Sequence, residues 1–70
     1  MAEIQVTING EGRRLPEGCT VAQLLAILGL DPARVAVERN LDVVPRLTYA
    51  DARLGAGDAV EIVTFVGGGC

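Results

Sequence analysis

The sequence predicts a small α+β domain: one mixed sheet with a single main helix packed on one of its faces. Three observations carry this. Residues 3–9 alternate apolar and polar with period two, residues 20–28 carry apolar side chains at helical spacing, and an apolar segment from 59 to 66 closes the chain. At 70 residues the chain allows one domain, and half of its residues are hydrophobic, enough for a real if small core.

Ile4, Val6 and Ile8 face one way and Glu3, Gln5, Thr7 and Asn9 the other, as in a half-buried strand. Asn9-Gly10 is a strong two-residue hairpin signal, since both residues tolerate positive φ. A short second strand is expected around Arg13 to Leu15, broken by Pro16-Glu17-Gly18. Thr20 is placed as the helix N-cap, with Gln23 completing a capping box. Val21, Leu24, Leu25 and Leu28 form the apolar stripe, broadened by Ala22, Ala26 and Ile27. Gly29 and Leu30 fit a left-handed C-cap with its closing apolar contact, and Asp31-Pro32 stops continuation.

A third strand is expected over 35–38, with Val35 and Val37 on one face, and a short fourth at Val43-Val44, ended by Pro45. Tyr49-Ala50-Asp51-Ala52 reads as one helical turn, and Gly55-Ala56-Gly57-Asp58 as a turn. The order is strand, strand, helix, strand, short strand, strand. With the first and last strands side by side at the sheet centre, this is the β-grasp, or ubiquitin-like, architecture. Residues 1–66 form that domain and 67–70 a flexible glycine tail, because ordering glycine costs the most backbone entropy.

Composition narrows the function. Net charge is −3, only six residues are basic, and Tyr49 and Phe65 are the only aromatics. Neither a phosphate-binding basic face nor a base-stacking platform is available, so no nucleic-acid partner is expected. No membrane-spanning run and no signal peptide are read, so the expected location is cytoplasmic. There is no His, and Cys19 and Cys70 are two distant thiols, so neither a metal site nor a disulfide framework is expected. Cys19 reads as a small, partly buried residue at the helix entry. Glu38 and Arg39 read as a solvated strand edge. The scattered carboxylates offer no catalytic constellation.

The last strand departs from simple alternation. If Val60 and Ile62 pack under the helix, Val63 and Phe65 stand on the open face, directly before the glycines. They are read as a partner-docking patch. The alternative is that the tail or the Val43 to Tyr49 segment folds over them.

These residues resemble a known family. Val37-Glu38-Arg39-Asn40, Val44-Pro45-Arg46 and the ending Val60-Glu61-Ile62-Val63-Thr64-Phe65-Val66-Gly67-Gly68-Gly69 look like the ThiS family, sulfur carriers of thiamine biosynthesis. The resemblance covers essentially the whole chain. It implies a protein co-substrate and not an enzyme. An E1-like, ThiF-like enzyme would use ATP to adenylate the carboxylate of a terminal glycine. Sulfur, ultimately from cysteine through a desulfurase, would convert the adenylate to a thiocarboxylate. A ThiG-like thiazole synthase would then take that sulfur. No cofactor is expected to bind the carrier itself. Two other readings stay open: a sibling carrier like the small subunit of molybdopterin synthase, and a ubiquitin-like interaction module without tail chemistry.

Cys70 departs from the family pattern, because it blocks Gly69 with a peptide bond. Removal by a peptidase would expose Gly69 as the reactive terminus, with Gly67 and Gly68 leading to it. Alternatively Cys70 stays and brings its own carboxylate or thiol into the chemistry, or it is an added residue.

Overall fold

The computed structural model describes residues 2–65. Five strands form one sheet: β1 (Glu3–Ile8), β2 (Glu11–Pro16), β3 (Val35–Arg39), β4 (Asp42–Val43) and β5 (Ala59–Thr64). Their spatial order is β2-β1-β5-β3-β4. β1 runs antiparallel to β2 and parallel to β5, and β5 runs antiparallel to β3. The first and last strands are therefore neighbours at the sheet centre, as their apolar content predicts.

The one α-helix, α1 (Val21–Leu28), forms as its sequence dictates. The Thr20 hydroxyl accepts from the Gln23 amide at 3.2 Å, and the Thr20 amide donates to the Gln23 side chain at 3.0 Å. Gly29 closes the helix at φ 73°, donating to the Ala26 carbonyl, while Leu30 donates to the Leu25 carbonyl. That pair of bonds satisfies carbonyls that would otherwise be orphaned at the helix end. The amides of Val21 and Ala22 donate to the carbonyls of Ala52 and Tyr49. The segment before β5 is thereby tied to the helix start.

Val21, Leu24 and Leu25 are buried against a cluster that includes Val6, Leu15, Val35, Val37, Val60 and Ile62. Cys19, Val44, Tyr49 and Leu54 complete the core. The stripe is narrower than the sequence suggests. Ala26 is exposed and Ile27 is 48% exposed. An eight-residue helix lying on one small sheet buries only the side facing that sheet, which leaves those two positions to water.

Boundaries moved elsewhere too. β2 extends to both sides of Arg13–Leu15, because all six of its residues pair with β1. Pro16 is tolerated there since β2 is an edge strand, where a missing amide leaves no ladder bond unmade. The fourth strand is Asp42–Val43, one residue earlier than expected, with Val44 turned into the core. The helical turn expected over 49–52 begins earlier, as a 3₁₀ turn over Arg46–Thr48, and continues where the Asp51 and Ala52 amides donate to the Thr48 carbonyl. Pro45 presets its entry, and the Thr48 hydroxyl bonds back to the Pro45 carbonyl at 2.8 Å. A second 3₁₀ turn, Pro32–Arg34, leads into β3, capped by the Asp31 carboxylate on the Ala33 amide.

Candidate functional site: the open sheet face and the exit of β5

Because the helix covers one face only, strand pairing defines what the other face presents. On β5, Val60 and Ile62 are buried under α1, so Glu61, Val63 and Phe65 point to the open side. Across the β3–β5 register Ala36 lies opposite Val63 and Glu38 opposite Glu61, and on β4 Val43 lies opposite Glu38. Residues directly paired share a face. One patch therefore collects Val63, Phe65, Ala36, Val43, Glu38 and Glu61. Val63 is 60% and Phe65 55% exposed, and Val43 is exposed as well. The Val43 to Tyr49 segment does not cover them, since its Val44 and Tyr49 turn into the core instead.

The end of β5 is fixed from both sides. The Phe65 amide donates to the Arg34 carbonyl at 2.8 Å, which holds the chain to the start of β3. On the β1 side the backbone ladder stops where Asn9 turns away at φ 52°. Its side chain continues that ladder: Oδ1 accepts from the Ile62 amide at 2.8 Å and Nδ2 donates to the Ile62 carbonyl at 3.2 Å. Asn40, also at φ 52°, does similar work at the strand's start, where its Oδ1 accepts from the Ala59 amide at 2.9 Å. Both asparagines sit in two-residue turns at positive φ. Their second role as clamps on β5 depends on long-range pairing that local pattern does not encode.

Of the residues singled out in the sequence, Val63 and Phe65 thus lie together, exposed, on the final strand. Gly67, Gly68, Gly69 and Cys70 lie outside the described residues, and so does the boundary drawn between 66 and 67. Cys19 is more buried than expected, at 2% exposure, with Sγ 3.5 Å from the Thr20 carbonyl. Burial pushes its thiol pKa up, which disfavours the thiolate that sulfur chemistry needs. Among the described residues no group of three His, Cys, Asp or Glu side chains could hold a metal ion. No helix there is long and apolar enough to cross a membrane. The hollow between the β3–β4 hairpin and the Arg46–Thr48 turn, about 230 Å³, is lined by Arg39, Asp42 and Thr48 among others. The Arg39 guanidinium is already bonded to the Arg53 carbonyl.

Comparison with known proteins bears on this arrangement. The family model described as "ThiS family" matches residues 6–69, and so ends on Gly69. The chain is 48% identical over 66 residues to a thiazole synthase of Paramagnetospirillum magneticum, covering 94% of this chain but 20% of that protein. It thus spans about a fifth of the length of the curated thiazole synthases it matches. It is 39% identical to the sulfur carrier protein ThiS of Thermus thermophilus, covering 91% of this chain and 98% of that one. The crystal structure of the thiamine biosynthesis protein ThiS from Geobacter metallireducens superposes with a TM-score of 0.80 at 33% identity, over 94% of this chain and all of the other.

Proposed function

The chain belongs to the ThiS family of sulfur carriers of thiamine biosynthesis, and on that premise we propose that its glycine run is a substrate terminus for adenylation and sulfur transfer. The observation that carries this reading is the placement of Val63 and Phe65. They stand exposed at the end of the central strand, and only Val66 separates Phe65 from Gly67-Gly68-Gly69 in the sequence. A partner that grips this face has the glycine run at its doorstep.

The reacting group is the carboxylate of Gly69. Anything peptide-bonded after Gly69, Cys70 included, blocks it, so the competent form ends at Gly69. A carboxylate is a poor electrophile. Its attack on the α-phosphate of ATP releases pyrophosphate and gives an acyl-adenylate with a good leaving group. Sulfide then displaces AMP and leaves a thiocarboxylate; a persulfide donor instead forms an acyl disulfide, which a second thiol cleaves to the thiocarboxylate with formation of a disulfide. The carrier's part is steric: glycine has no Cβ to widen the strand of backbone that must enter a narrow active site. ATP and its chemistry belong to an E1-like, ThiF-like adenylating enzyme. A cysteine desulfurase is the indirect sulfur source, and a ThiG-like thiazole synthase is the acceptor, all in the cytoplasm. The relatives named thiazole synthase, which contain a segment similar to this chain, favour that acceptor over a molybdopterin synthase.

Intact-mass spectrometry tests the proposal. The form ending at Gly69, incubated with ATP, a sulfide source and a ThiF-like enzyme, is expected to gain about 16 Da as sulfur replaces oxygen. The full 70-residue chain is expected to gain nothing. No gain on the shorter form overturns the reading.

A further inference from the structure

Glu38 and Glu61 are directly opposed on neighbouring strands, on the open face. Like charges at paired positions of an antiparallel sheet repel, so this arrangement costs the free fold stability. Nothing on the chain relieves it among the described residues. All six basic side chains are arginines, and five are accounted for. Arg34 lies 3.8 Å from Asp31, Arg39 bonds the Arg53 carbonyl, and Arg46 bonds the carbonyls of Pro32 and Val35. Arg13 and Arg14 sit on β2, separated from β5 by the whole of β1. The sixth, Arg53, pairs with Thr20 at the helix entry, on the segment that covers the other side of the sheet.

The two carboxylates are also not placed at random. Val43 is paired with Glu38, and Val63 follows Glu61 two residues on, next to Ala36. An acidic pair is thus set beside an apolar patch on one open sheet face. Apolar burial on docking removes water around the glutamates and strengthens any charge brought to them.

We propose that Glu38 and Glu61 together receive an arginine side chain of the adenylating enzyme, while Val43, Val63 and Phe65 fill an apolar hollow beside it. This deepens the docking reading given above and rests on it. A guanidinium suits the site better than an ammonium. Its planar fork of five N–H donors can bond two carboxylates at once, where a lysine presents a single compact charge. The pairing would relieve, in the complex, the repulsion that the free carrier carries. Relief of that repulsion favours the docked state over the free one.

The test compares the wild-type chain ending at Gly69 with Glu38→Gln, Glu61→Gln, the double variant and Glu61→Arg. Binding to the ThiF-like enzyme is read by calorimetry, and the free carriers are read by thermal melting. Each Gln variant is expected to melt at or above the wild-type temperature and to bind more weakly, the double variant by about tenfold or more. Glu61→Arg is expected to abolish binding. Wild-type affinity should fall as salt rises, and the double variant should lose most of that dependence. Double-variant binding within twofold of wild type overturns the inference, as does a lower melting temperature, which would make the pair structural. If the wild-type chain itself neither binds nor acquires sulfur, the sulfur-carrier chemistry fails and takes this inference with it. Binding and sulfur gain by wild type with indifferent Gln variants sinks the acidic pair alone.

Discussion

Asn9 shows how one residue can do two jobs whose requirements coincide. A two-residue hairpin needs positive φ at both loop positions, and asparagine tolerates that better than other residues with a Cβ. Once there, its short amide reaches the neighbouring strand and offers one acceptor and one donor at the spacing of a peptide group. The Ile62 amide and carbonyl take both. Replacing Asn9 with alanine leaves both partly buried backbone groups without partners, at a cost of about 2 kcal/mol. Asn9→Asp keeps the acceptor for the Ile62 amide but turns a second oxygen toward the Ile62 carbonyl, so it should not recover the loss. Urea denaturation reads this directly: the midpoint should fall with an unchanged slope. A loss below about 0.5 kcal/mol for Asn9→Ala would mean that the clamp contributes no more than an ordinary surface contact.

At the level of elements, what could be read from sequence was whatever is local. The capping box at Thr20 and Gln23, the left-handed C-cap at Gly29 and the Asn9-Gly10 hairpin each depend on residues within a few positions, and each is found where it was expected. What escaped depends on distant partners. The exposure of Ile27 is set by how much sheet lies beneath the helix, and the extension of β2 by how far β1 runs beside it. The β3–β4 hairpin is the clearest case. Asn40 and Leu41 adopt φ of 52° and 73°, the geometry of the Asn9-Gly10 turn, but leucine stands where glycine is favoured. Leu41 is 85% exposed, so no burial offsets its left-handed backbone. Leu41→Gly should therefore raise stability by up to about 1 kcal/mol, the left-handed penalty less the extra entropy of glycine in the unfolded chain. Thermal melting of the two proteins checks this. A drop in melting temperature would show that Leu41 makes contacts that its exposure conceals.

Across the whole molecule, the sheet divides the labour between its two faces. The α1 side holds the fold together, and the open side is free to be used. Val63 and Phe65 were legible as surplus apolar residues because only one face of a two-layer domain can be covered. The acidic pair beside them was not, because Glu38 and Glu61 are 23 positions apart and meet only through the β3–β5 register. This division makes docking separable from stability. Val63→Ala and Phe65→Ala remove exposed side chains, so unfolding free energy should change by less than about 0.5 kcal/mol each. On the proposed docking reading, their effect belongs to the encounter with the enzyme. A patch that touches the partner equally before and during adenylation contributes uniform binding, so its loss raises KM and leaves kcat nearly unchanged. The glycine run should behave in the opposite way. A chain ending at Phe65 keeps the docking face and lacks the reactive carboxylate, so it should inhibit adenylation competitively and accept no sulfur. Pyrophosphate exchange with the adenylating enzyme measures both. If the Val63 and Phe65 variants lower kcat with KM intact, the patch acts on the reacting carboxylate and not on docking. If the truncated chain fails to compete, the open face is not the surface that the enzyme holds.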